Sequence, residues 1–467
     1  MSRLRSHLNG RLVLALFVLA GSASLLAYAA TSTTTRTELG TTSDQTAVRT
    51  SRDVSTLPLR SACTVQPRKE LFITDLSVVN DCVRTTWGPC ISPPVAPATQ
   101  GAWTFGARMA SLAGTNDPAT LSSFTLNWLN HWLANQTINS DPVPARPSAQ
   151  AIIDQWRNAS GSKTLDMKKA PFRLLAIVAR LDLRENSGYT GGGSTAGEGR
   201  FIYGLLDAFG NPSEFLVIFE YGLDAKDCFG VQDWAHAWHG LGSLAFGANY
   251  NAALQTVTDR FATIGASPGK PNGSAINQVR TNEIHLQFPW ELREFKLNDR
   301  VLVVPSPLSE VVVAQTPARS LQETPPIASY VNANAPAILA HQHVVPLSWG
   351  GAPFKGGASP HNLELGWDGP NPVCTSITDP EARHAFSLDT CSGCHGQETG
   401  VRFYHVEPRT AGAESTLSSF LLGGSQTDRC GRTHNFGDIE RRRVDLCQLL
   451  DKSCSQIDAE PVVTFVH

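Results

Sequence analysis

An export signal followed by ten cysteines constrains this chain more than any other feature of it. Arg3, Arg5 and Arg11 precede or open an apolar run from Leu12 to Ala20, and a small-residue stretch ends at Ala27-Tyr28-Ala29. That is the pattern of a secretory signal peptide over residues 1–29, with an uncleaved signal anchor as the alternative. Ser22 stands where a lipoprotein would need a cysteine. No later segment reaches the ~18 uninterrupted apolar residues needed to cross a bilayer, so no stable membrane insertion is expected after cleavage. The expected location is periplasmic or secreted, and such compartments oxidise thiols. If Cys391 and Cys394 serve another purpose, the eight other cysteines can close four disulfides, whose connectivity spacing does not reveal.

The hydrophobic content of 41% is that of a globular protein, and the formal net charge of -3 without long like-charge runs gives no footprint for nucleic acid. A redox protein or small molecule is the expected partner. Residues 30–62 are Thr/Ser-rich with few large apolar side chains and read as a disordered leader. Residues 63–320 read as a large α+β domain, 321–378 as a connecting segment and 379–467 as a small C-terminal module of short helices and loops. Within the large domain, Asp117-Pro118 starts a helix reaching Asn135, and a second helix spans Pro147 to Asn158. Strand-like runs Arg200 to Leu205 and Glu214 to Tyr221 flank Phe209-Gly210-Asn211-Pro212, which predicts a hairpin in an antiparallel sheet. Further helix is expected from Val231 to Ile264, broken near Gly240 to Gly247. Strands are expected at Glu283 to Phe288, Glu291 to Leu297 and Val301 to Val304, and helices at Ile327 to Ala340 and Asp438 to Asp451. This order is α+β rather than regular βα alternation.

The specific chemical signal is Thr390-Cys391-Ser392-Gly393-Cys394-His395-Gly396. Two thiols flank two small residues and an imidazole follows at once, a spacing that suits two thioether bonds to haem vinyl groups with His395 reaching the iron. Chance would place about 0.006 such CxxCH matches in a chain of this cysteine and histidine content. The segment resembles the haem-attachment site of c-type cytochromes over about forty residues at most, Asp379 to Phe420, and is specific only at the motif. The resemblance implies haem c, with Cys391 and Cys394 as covalent anchors, His395 as proximal iron ligand, and electron transfer as the activity. It departs from the common pattern in having no downstream Met as second axial ligand, since the methionines are Met1, Met109 and Met167. One of these distant methionines folding back, a histidine, or a five-coordinate iron are the open alternatives, with His405 as the leading distal candidate and His434 and His384 as runners-up.

Other readings stand beside this one. Cys391 and Cys394 can form a redox-active or structural disulfide in a stapled binding or structural protein without haem. A Cys2His2 metal site would use Cys391, Cys394, His395 and His405, although adjacent Cys394 and His395 make an awkward chelate. An exported metallohydrolase would draw on His236, His239, His341 or His343, but no HExxH motif accompanies them. Gly188 to Gly199 lacks the Lys-Ser/Thr of a phosphate loop, and Gly265-Ala266-Ser267-Pro268-Gly269 fails as a nucleophile elbow because Pro268 has no N–H to donate. The run Arg441-Arg442-Arg443 can pair with haem propionates or lie in solvent, and solvent is the default expectation.

Overall fold

The fold is α+β. The computed structural model describes residues 64–88, 90, 100–184, 195–299, 305–362 and 366–459. The signal peptide, the leader and the strand expected at Val301 to Val304 lie outside them. The central element is an eight-stranded antiparallel sheet. Its strands are β1 (Phe72–Ile73), β2 (Phe172–Arg180), β3 (Thr195–Leu206), β4 (Pro212–Asp224), β5 (Ile276–Glu283), β6 (Trp290–Leu297), β7 (Leu308–Val311) and β8 (Ser359–His361). The order is β1-β2-β3-β4-β5-β6-β8, with β7 also pairing β6. The expected hairpin is β3–β4, closed by the Asp207 carboxylate, which accepts from the Phe209 and Asn211 amides at 2.8 Å each.

Period-2 alternation sends Phe201, Tyr203, Phe215, Val217, Phe219 and Tyr221 to one face. Helices α1 (Phe105–Ala113), α2 (Pro118–Leu129), α3 (Ala149–Ser160), α4 (Cys228–His239) and α5 (Ala248–Ala262) supply side chains to the same core. Asp117 caps α2 as expected, accepting from the Thr120 amide at 2.8 Å. Phe105 stacks on Phe172 with centroids 4.1 Å apart and meets Trp128, Trp156 and Tyr203 around its edge. Each large apolar side chain buried here contributes about 1.5–3 kcal/mol.

The second face differs in kind. Leu175, Val178, Ile202, Leu216 and Leu292 share it with Arg200, Glu220, Arg280 and Glu294, all buried. Chain from residues 388 to 439 covers it, through Leu388, Val401, Phe403, Tyr404, Val406, Phe420 and Ile439. Helices α6 (Pro325–Leu339) and α7 (Pro380–Leu388) form a third core with Tyr330, Trp367 and Phe386. The described residues belong to one compact unit, Val48–His467. The described part of the C-terminal stretch, 379–459, is therefore packed on the sheet it follows. Arg409 fastens it there, donating to the carbonyls of Leu174 at 2.8 Å and Val79 at 3.1 Å. The register shift between Leu174 and Ala176 breaks the ladder beside that carbonyl.

One strand lies earlier than its pattern suggests: β5 is Ile276–Glu283, and Glu283 to Phe288 leads out of it as a turn. Gln278, Arg280 and Asn282 sit on the polar buried face, so the apolar alternation that marks a strand is missing there.

Among the described residues the disulfides are Cys82–Cys90, Cys228–Cys454 and Cys374–Cys430, and Cys447 is also disulfide-bonded. Cys391 and Cys394 are buried and lie outside these disulfides. Cys228–Cys454 closes a loop with a sequence separation of 226, tying the C-terminal end to α4. Replacing both cysteines by serine is expected to lower stability by about 2–5 kcal/mol, because long loops gain most from closure. Urea denaturation with the other disulfides intact tests this, and an unchanged midpoint would show that packing alone holds the end in place.

Candidate functional site

The local sequence explains how the motif is held. Asp379 caps α7, accepting from the Glu381 and Ala382 amides, and Pro380 sits in its first turn. After Asp389, Thr390 caps a second short helix, α8 (Cys391–Cys394), by accepting from the Gly393 amide at 3.0 Å. The two thiols are three residues apart on one turn, the spacing that puts side chains on a common face. Gly393 is required by close packing, since a Cβ there would lie 2.1 Å from the Ser387 carbonyl oxygen. The Cys391 amide donates to Thr316 Oγ1 at 3.0 Å, which fixes the turn against the chain following β7.

His395 is braced in both directions by Phe403. The Phe403 amide donates to the His395 carbonyl at 3.2 Å, and His395 Nδ1 donates to the Phe403 carbonyl at 2.7 Å. With the proton on Nδ1, Nε2 carries the lone pair, which is the tautomer that metal-binding histidines adopt. Trp290 stacks on the ring at 5.2 Å, and His361 packs on Trp290 at 4.5 Å. Burial pushes the His395 pKa down to about 4 and the His361 pKa down to about 3, so both imidazoles are neutral at pH 7.

His405 comes to the same place from the next loop, its ring centroid 4.5 Å from that of His395. Its Nδ1 is 2.9 Å from Ser418 Oγ, and Ser418 caps α9 (Ser419–Leu422). Its Nε2 is 3.3 Å from Cys394 Sγ. All four sequence-predicted residues therefore converge. Cys391, His395 and His405 line a partly open cleft.

The cleft has two kinds of wall. Val178, Ile202, Leu216, Leu292, Phe420 and Leu421 make it apolar, while Arg180, Arg200, Arg280 and Arg442 bring four guanidinium groups against one carboxylate, Glu220. The solvated expectation for the basic run is corrected here. Arg442, on α10 (Asp438–Asp451), is 4% exposed and reaches the cleft, whereas Arg441 pairs with Asp182 at 2.7 Å and Arg443 with Glu440 at 2.6 Å. Sequence reasoning missed Arg180, Arg200 and Arg280. The available signal was arginine and glutamate alternating with apolar residues along consecutive strands.

Met109 and Met167 are buried in the core on the opposite face of the sheet, which removes them as axial candidates. His384 and His434 stack on each other at 3.4 Å, with His384 Nδ1 2.5 Å from Glu398 and His434 Nε2 3.1 Å from Asp428. His236 is exposed, and His239 pairs with Glu70 at 2.8 Å. His341 Nδ1 is 2.8 Å from Asp389, which His343 also approaches at 3.8 Å. Among the described residues, the ligand atoms of Cys391, Cys394, His395 and His405 do not gather as a metal cluster, which disfavours the Cys2His2 site. Ser267 sits in a turn with its Oγ 3.2 Å from Asp224. Burial pushes the Cys391 thiol up to about 11, the reverse of the lowered pKa that activates redox CxxC cysteines.

No family model, curated protein or solved structure matches the chain.

His343 yields a pH test away from the motif. Burial pushes it down to about 4. The unfolded chain then takes up a proton near pH 6.5 that the folded chain refuses, so stability is full above that pH and falls as pH drops toward 4. Denaturant melts at pH 7 and pH 5 are expected to show a loss that His343→Phe reduces by about 1–2 kcal/mol. An identical loss in the variant would place the acid-sensitive group elsewhere.

Proposed function

We propose that the chain is an exported monohaem c-type cytochrome-like protein that carries electrons for a redox protein or small-molecule partner. One observation carries the reading. The CxxCH turn sets Cys391 and His395 in the wall of one cleft together with His405, whose Nε2 lies 3.3 Å from Cys394 Sγ, so the residue types that haem attachment and iron ligation need meet at one place.

The residues present suit haem c. Cys391 and Cys394 would hold it, each S–H adding across one vinyl C=C with the hydrogen going to the second vinyl carbon and no net redox change. His395, with Nδ1 committed to the Phe403 carbonyl, would present Nε2 as proximal ligand. His405, whose Nε2 lies 3.3 Å from Cys394 Sγ, would be the second histidine able to hold the iron. When bound, the group supplies a one-electron Fe(III)/Fe(II) couple, and histidine rather than methionine at the sixth position lowers its potential. The apolar wall of the cleft excludes water from one side of that couple.

The test is a pyridine haemochrome assay on denatured full-length protein, exported by a host with a cytochrome c maturation system. One covalent haem per chain is expected, lost in Cys391→Ala/Cys394→Ala. His405→Ala is expected to turn a six-coordinate low-spin spectrum into a high-spin one. A colourless chain would reject the haem reading in favour of a disulfide-stapled binding protein. An unchanged low-spin spectrum would reject His405 alone.

A further inference from the structure

The cleft holds a second feature that CxxCH does not explain. Arg180 ends β2 and is 1% exposed, and its Nε and Nη2 hold Asp182 at 2.9 Å each. Its Nη1 finds no hydrogen-bond partner among the described residues. Arg442, 4% exposed, contacts Asp438 through Nη2 at 2.5 Å, and its Nε and Nη1 are likewise without partners. Both side chains line the cleft.

Leaving a buried donor unmet is destabilising, and more so when the group is charged. Two adjacent arginines in that condition are therefore the side of a contact whose other side comes from outside the chain. Their mutual repulsion adds to the argument: burial and the charges of Arg442 and Arg200 pull Arg180 down to about 9, and an anion between them would relieve this. Guanidinium groups match carboxylates through paired N–H donors.

We propose that Arg180 and Arg442 receive a pair of carboxylates, the two propionates of the haem inferred above. The proposal rests on that reading and assigns a role to the large sheet domain: β2 and its neighbours form the propionate end of the haem pocket, and α10 closes it. The cofactor would be held twice, covalently by the turn at 391–394 and ionically by Arg180 and Arg442. The same donors would accept a free oxyanion such as phosphate, so the test must separate the two sources.

Covalently loaded full-length protein and its Arg442→Gln and Arg180→Gln variants would be compared by resonance Raman. The propionate bending band is expected to shift in both variants, with Arg442→Lys intermediate. A band unmoved in variants that load haem would overturn the arginine assignment and leave the haem reading standing. Absence of covalent haem in the parent chain would overturn both. If the glutamine variants do not fold, the parent pocket decides through Cys391→Ala/Cys394→Ala titrated with hemin and with hemin dimethyl ester. At least tenfold tighter binding of the free acid is expected. Equal binding, or stabilisation by inorganic phosphate that hemin does not displace, would overturn the proposal in favour of a free oxyanion.

Discussion

The second face of the sheet buries charge, and the arrangement of the C-terminal third follows from it. Arg200 stands opposite Glu220 on the neighbouring strand, and Arg280 stands opposite Glu294. Arg280 also bridges to Glu220 at 3.3 Å, so ions of alternating sign run across four strands. Desolvating such a row costs several kcal/mol per ion, and their mutual attraction returns it only when the geometry is closely kept. Removing one member strands its partner at a cost of about 3–5 kcal/mol. Glu220 records the tension: burial raises its pKa even with two arginines opposing the rise. A face of this kind cannot pack against an ordinary apolar helix. It is covered instead by loops and short helices that bring polar groups and leave a cleft.

That requirement also explains which parts of the molecule the sequence disclosed. The hairpin β3–β4, the capped helix α2 and the helices at 325–339 and 438–451 followed from alternation, caps and period, because each has one apolar face and one polar face. Strand β5 did not, because its inward residues Gln278, Arg280 and Asn282 are polar and apolar alternation is the signal for a half-buried strand. The candidate site divides along the same line. Cys391, Cys394, His395 and His405 were legible because the proposed covalent attachment and ligation would demand particular residue types at short spacing. The arginines were not, because they come from β2, β3, β5 and α10, and only strand pairing and the fold of the C-terminal chain bring them together.

The cysteines show the same contrast between local and global information. A count of ten allowed four disulfides with two cysteines left over, and the CxxCH spacing identified the pair left over. Pairings such as Cys228–Cys454 join positions far apart in sequence and carried no local signal. Their placement bears on the site, because that bond ties the segment following α10 to α4, while α10 carries Arg442 to the cleft.

If the motif alone made the site, the sheet domain would be a separate object attached to a small cytochrome. The walls of the cleft argue otherwise. The turn at 391–394 contributes a thiol, His395 follows it, and His405 arrives from the next loop, but most of the enclosing surface comes from β2, β3, β4, β5 and β6. Trp290 of β6, stacked on the His395 ring, sets the orientation of the proposed proximal ligand from the sheet side. The short C-terminal helices have too little apolar surface of their own to enclose a cofactor, since their buried residues pack on strands rather than on one another alone. The sheet is thus half of the pocket, and the charge it buries is what gives that pocket an end able to hold an anion.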